Sequence, residues 1–180
     1  MKLDYVHQTS IDEKAEDSRF TYEDSFPPSE RPPFDMLLGL NNAYFCGVYN
    51  QGEYVGLIDI IEHKDMAYLF FLAIKKENRG KGYGTQILSD LKQRFAGKRL
   101  FLLAEEGGAQ YEDNAERTRR LSFYSKNGFI PEGIKVVELG VTYEILSYNC
   151  SVGERDFFDL MSTVVGEERM PLFYKDYQSK

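Results

Sequence analysis

The sequence predicts an α/β fold, and three observations carry that reading. Tyr68 to Ile74 is a continuous apolar run, Asn78 to Gly84 is a glycine-rich turn, and behind it Ile87, Leu88, Leu91 and Phe95 fall on one helical face that Gly97 ends. An apolar run without alternation marks a strand covered on both faces of a sheet. At 180 residues, 42% hydrophobic and 28% charged, the chain has the size and apolar content of one domain spanning 1–180.

The remaining elements follow in order. Lys2 to Gln8 alternates weakly and predicts a first strand, and Asp12 to Phe26 a short helix. Phe26 to Phe34 holds four of the six prolines, so the chain breaks there before a helix resumes around Asp35 to Leu40. Ala43 to Val48 and Tyr54 to Ile61 are rich in aromatic and β-branched residues and flank Asn50-Gln51-Gly52-Glu53, which predicts a β-hairpin. Leu100 to Ala104 predicts a strand, Glu116 to Lys126 a helix stopped at Asn127-Gly128, and Gly133 to Tyr148 a hairpin turning near Leu139-Gly140. Glu154 to Val165 has helical spacing at Phe157, Leu160, Met161 and Val164; no clear element follows it.

Composition narrows the function. Apolar stretches are far shorter than the roughly 20 residues that cross a bilayer, and Met1-Lys2-Leu3-Asp4 does not open a signal sequence, so a cytoplasmic protein with no membrane partner is expected. Cys46 and Cys150 sit among strand-forming neighbours and read as buried free thiols. His7 and His63 have no cysteine or carboxylate at ligand spacing, which leaves little material for a metal site or a Ser-His-Asp triad. A net charge of −7 argues against a grip on nucleic acid and would suit a cationic substrate.

The chemistry-bearing segment is Arg79-Gly80-Lys81-Gly82-Tyr83-Gly84-Thr85. Alternating glycines between a buried strand and a helix let the backbone turn tightly and present successive N–H groups at the positive end of the helix dipole, and Arg79 and Lys81 add charge, so a diphosphate is the natural guest. No lysine stands between Gly84 and Thr85, as a Walker loop requires, and the even spacing of Gly80, Gly82 and Gly84 is not that of a dinucleotide fingerprint.

Arg79-x-x-Gly82-x-Gly84 resembles the acetyl-CoA pyrophosphate motif of the GCN5-related N-acetyltransferase (GNAT) superfamily. Phe123-Tyr124-Ser125-Lys126-Asn127-Gly128-Phe129 resembles that family's later signature, a helix with a tyrosine that ends in Gly-Phe. The resemblance covers about 43–149 and leaves 151–180 as a C-terminal extension. It implies the GNAT fold: a single mixed central sheet, splayed between its fourth and fifth strands and flanked by helices. It further implies pantetheine paired to the backbone of Leu72, Ala73 and Ile74 like an added strand. The activity implied is transfer of an acetyl group from acetyl-CoA to a primary amine of a small molecule or peptide, without a metal. A catalytically silent acyl-CoA-binding or sensing domain of the same fold is the alternative, and homodimerisation is left open. A toxin that acetylates charged tRNA is disfavoured by the acidic balance.

For transfer, a backbone N–H near Leu72 to Ile74 would meet the oxyanion, and Tyr124 is the resemblance's candidate to protonate the departing thiolate. Glu105, ending the strand beside the implied opening, is the candidate base or ammonium anchor, with Glu106 pointing the other way. Many members carry an asparagine where this chain has Arg117; with Arg119 and Arg120, Arg117 reads either as a phosphate contact or as a solvated basic face. Tyr22 through Phe34 resembles the variable region that shapes the acceptor pocket.

Overall fold

The computed structural model describes residues 1–28 and 31–174. Seven strands, β1 (Asp4–His7), β2 (Ala43–Asn50), β3 (Glu53–His63), β4 (Met66–Ile74), β5 (Arg99–Glu105), β6 (Ile130–Glu138) and β7 (Val141–Tyr148), form one mixed open sheet in the order β1-β2-β3-β4-β5-β7-β6. The helices are α1 (Glu13–Ser25), α2 (Phe34–Leu38), α3 (Tyr83–Arg94), α4 (Asn114–Lys126), α5 (Glu154–Val165) and α6 (Met170–Phe173). The chain divides into two compact units, 1–62 with 69–96, and 63–68 with 97 onward, so β4 begins in the second and ends in the first.

In the first unit β1, β2 and β3 are antiparallel neighbours. The β2–β3 loop is two residues long, and Gln51 and Gly52 both have positive φ, the backbone twist that matches a right-twisted hairpin. Asp12 caps α1 by accepting from the N–H groups of Lys14 and Ala15 at 3.1 and 2.9 Å. The buried stripe of α1 is Ala15, Ser18, Thr21 and Tyr22, small and polar except for the last, which explains why the helix is weakly marked in the sequence. Tyr22 inserts edge-on against Phe71 at 5.0 Å between ring centres and meets Phe26 and Phe34, while Phe34 meets Phe45. These rings, with Leu37, Leu57 and Ala73, form the core under α1 and α2.

The second unit is built on antiparallel β5–β7 and β7–β6 pairs. Tyr68 stacks flat on Phe101 at 4.9 Å and takes the edge of Phe157 from α5. Arg99 forks between Asp65 and Asp156, with contacts of 2.8 Å to each, and Asp156 also accepts from the Gly153 N–H that opens α5. Past α5 the sequence shows no clear element, yet α6 forms there and Tyr174 is fully buried, bridged to Glu138 and donating its hydroxyl to that carboxylate at 2.9 Å. A four-residue helix is too short to carry a period, and the bridge joins residues far apart in the chain.

Cys46 is buried and Cys150 half-buried, both as free thiols. Among the described residues no helix is long and apolar enough to cross a membrane.

Phe101 is fully buried at the centre of the second unit. Phe101→Ala should cost about 3–5 kcal/mol in urea denaturation; a loss below about 1 kcal/mol would show that the Tyr68 stack does not hold the unit together.

Candidate active site

The glycine loop lies entirely in the first unit. β4 ends at Ile74, Lys76–Asn78 forms one 3-10 turn, and α3 starts at Tyr83. Gly80 and Gly82 have φ of +77° and +87°, a region costly to residues with a Cβ, and a Cβ built at either would meet nothing within 4 Å. The space beside both glycines is thus open. Gly82 is the N-cap of α3 and no side chain caps it, so the first N–H groups of a twelve-residue helix lack a side-chain partner there.

The two cations are fixed beside that helix end. Arg79 donates through Nε to the Ile74 carbonyl at 3.1 Å and through Nη2 to Ser25 Oγ at 3.3 Å, while Lys81 Nζ donates to Asn78 Oδ1 at 2.9 Å. The Tyr83 hydroxyl accepts from the Asn50 side chain. Arg79, Lys81, Gly82 and Thr85 are exposed, Tyr83 and Gly84 half-exposed, and of the strand residues Ala73 is buried while Leu72 and Ile74 are half-buried. The arrangement offers convergent N–H donors and two cations to a polyanion.

Tyr124 and Glu105 lie in the second unit. Tyr124 is buried among Phe123 and Phe129, and α4 ends two residues later at Lys126, capped by Asn127, with Gly128 at positive φ and the Phe129 N–H returning to the Tyr124 carbonyl. Burial raises the Tyr124 phenol above its ordinary range, against a smaller downward pull from Arg120. The hydroxyl therefore keeps its proton at neutral pH.

Glu105 is a buried carboxylate held by two guanidiniums: Arg117 Nη2 at 2.8 Å on one oxygen and Arg120 Nη1 on the other. Arg117 is not part of a solvated face. It is buried, donates to Asp113 at 2.7 Å and stacks over the Tyr111 ring at 4.2 Å, whereas Arg119 is exposed and pairs only with Glu116. Glu106 turns to Lys135 and accepts from the Tyr111 hydroxyl at 3.0 Å, contacts that lower its pKa. The sequence offered Arg117 as a phosphate contact or a solvated basic face; only its i, i+4 pairing with Asp113 was local enough to read, and its burial against Glu105 was not.

The segment expected to shape the acceptor pocket turns Tyr22 and Phe34 inward and leaves Glu23 and Asp24 exposed, and its Ser29 and Glu30 lie outside the described residues.

Residues 41–131 match the model of the acetyltransferase (GNAT) domain, which is half of the chain. The chain belongs to the GNAT acetyltransferase family. Solved GNAT-like structures share its fold. An acetyltransferase of the GNAT family from Bacteroides thetaiotaomicron superposes with a TM-score of 0.72 at 16% identity, covering 96% of this chain and 97% of that one. An aminoglycoside 6'-N-acetyltransferase complexed with coenzyme A gives 0.57 at 15%, covering 82% and 96%. The PaiA N-acetyltransferase from Thermoplasma acidophilum, also in complex with coenzyme A, gives 0.56 at 17%, covering 82% and 100%. No curated protein sequence matches this GNAT chain.

Removing Arg117 takes one of the two guanidiniums from the buried Glu105 carboxylate and leaves it to Arg120 alone. Arg117→Met should destabilise the protein by about 3 kcal/mol, while Arg119→Met at an exposed site should change stability by less than about 0.5 kcal/mol. Parallel urea titrations of the two variants check this contrast.

Proposed function

We propose that this GNAT protein transfers an acetyl group from acetyl-CoA to a primary amine of a small molecule or peptide. The observation that carries the proposal is the N-terminus of α3, which no side chain caps, behind two glycines at positive φ with open space beside them. In this reading the N–H groups from Gly80 to Thr85 and the cations of Arg79 and Lys81 hold the diphosphate of CoA. The main chain of Leu72, Ala73 and Ile74 pairs with the pantetheine arm.

Acetyl-CoA supplies a thioester carbonyl open to attack by an uncharged amine. The chain's own residues would then do three things. A backbone N–H of Leu72 to Ile74 donates to the carbonyl oxygen as charge develops on it. Tyr124, whose buried phenol holds its proton, gives that proton to the sulphur as the carbon–sulphur bond breaks, and the phenolate so formed recovers a proton as the new amide nitrogen sheds its own, which leaves amide, thiol and phenol all neutral. Glu105, already paired with Arg117 and Arg120, has both oxygens engaged and fixes those two guanidiniums. Support for an amine acceptor comes from relatives of the same fold: the aminoglycoside 6'-N-acetyltransferase, and a spermidine N-acetyltransferase chimera from Vibrio cholerae at 19% identity.

Two variants test the reading. Gly82→Val places a β-branched side chain at positive φ in the cradle, and calorimetry should show CoA affinity falling by about tenfold or more; unchanged affinity would put the site elsewhere. Tyr124→Phe keeps the ring and deletes the hydroxyl, so the single-turnover acetyl-transfer rate should fall about 10²-fold with CoA binding intact. An unchanged rate would return Tyr124 to a packing role. A protein that binds acetyl-CoA yet releases no thiol with any amine of a broad panel would be an acyl-CoA-binding domain instead.

A further inference from the structure

Gly56 stands in the interior of β3 and is buried. Glycine weakens a strand, since it orders a freer backbone and packs no side chain, so its presence there marks a bulge or the close approach of another backbone. Both are found. The β2–β3 ladder steps from Val48↔Gly56 to Tyr49↔Tyr54 and skips Val55, which makes Val55 the extra residue of a bulge. On the other side of β3, the end of β4 lies over Gly56. A side-chain carbon at position 56 would fall well inside 3.0 Å of the Ala73 carbonyl oxygen and 3.1 Å from Ile74 Cα. At Gly47 on β2 the atoms nearest such a carbon belong to side chains, which can yield. At Gly56 the nearest are main chain, which moves only if β4 moves.

The same contact gives the direction of the peptide. The Ala73 carbonyl carbon is farther from the added atom than its oxygen or Ile74 Cα, so the C=O bond points toward β3. The peptide is trans, a rigid plane in which C=O and the following N–H are opposed, so the Ile74 N–H points away from β3. In an extended strand the N–H and C=O of one residue face the same way, which turns the Ala73 N–H toward β3 with its carbonyl. The groups around this peptide are already engaged. Arg79 Nε donates to the Ile74 carbonyl at 3.1 Å, the Lys75 N–H to the Val55 carbonyl at 3.0 Å, and Asn78 Nδ2 to the Tyr54 carbonyl at 3.4 Å. The end of β4, the bulge and the first cation of the glycine loop are thus one hydrogen-bonded assembly, and Gly56 has no room in it for a side chain.

We infer that Gly56 is a positioning residue for the cofactor arm: by lacking a Cβ it lets the Ala73–Ile74 peptide lean over β3, which aims the Ile74 N–H at a carbonyl of pantetheine. The inference rests on the proposed acetyl-CoA site and deepens it. One donor among three strand residues is assigned to the arm, and a residue of the neighbouring strand determines its aim. Gly56 itself touches no part of the cofactor and acts through the peptide that lies over it.

The test separates the two halves of the cofactor. CoA carries the arm, whereas 3′-phosphoadenosine 5′-diphosphate carries the phosphates and lacks it. In calorimetry on the full chain, Gly56→Ala should bind CoA about tenfold more weakly than the wild type, and the armless diphosphate within about twofold of it. A purely structural effect of the added methyl would weaken both ligands alike or neither, and either result overturns the inference. Because Gly56→Ala also strains the sheet, a second variant removes the donor and adds no bulk: an amide-to-ester exchange at Ile74, made with the α-hydroxy analogue of isoleucine. It should show the same split between the two ligands. Undiminished CoA affinity in the ester overturns the inference even where Gly56→Ala does not fold. Failure of the acetyl-CoA reading is seen in a different protein: a wild type that binds neither ligand overturns that reading and the inference with it, whereas a wild type that binds CoA no more tightly than the armless diphosphate overturns the pairing of the arm alone.

Discussion

Met66, Ala67, Tyr68 and Leu69 are each no more than 3% exposed, so the start of β4 has no face left for water. Each of its main-chain polar groups must then be met within the sheet, and each face needs apolar cover. The cover differs along the strand. In the second unit the Tyr68 ring is sandwiched by Phe101 and Phe157, and in the first Phe71 and Ala73 are roofed by α1 and α2. Only after Ile74, where the strand stops, can the backbone turn through positive φ and start α3 without a side-chain cap. The glycine turn thus stands at the first place where burial stops dictating the path of the chain.

The two kinds of site in this protein use opposite electrostatic strategies. At the glycine loop the positive potential comes from the N–H groups that open α3 and from cations already tied to Asn78, Ile74 and Ser25. Around Glu105 opposite charges are matched in place: Arg117 answers both Glu105 and Asp113, and Lys135 answers Glu106. Asp59 belongs to neither pattern. It lies buried in β3 with neither carboxyl oxygen hydrogen-bonded.

Much of this was legible in the sequence because it is local. The strand from Tyr68, the glycine turn and the α3 face each announce themselves within a dozen residues, and both hairpin turns carry residues that accept positive φ. What escaped is long-range. That Arg117 is buried against Glu105 and Tyr111 depends on where α4 lies beside the end of β5, and that Tyr174 is buried depends on Glu138. Asp59 had a sequence signal that passed unread: it is the one charged residue between Tyr54 and Ile61, in a strand otherwise fit for a core. A charge in such a run is unusual enough to call for a partner, and its lack of one appears only in three dimensions.

The ring cluster around Tyr22 has an optical consequence. The chain has 13 tyrosines and no tryptophan, so its ultraviolet emission is that of phenols alone. A single indole introduced at Phe26, on the partly buried rim of that cluster, would be the only one in the molecule. Its colour and intensity would report the polarity of one spot in the first unit, at wavelengths longer than those of the phenols.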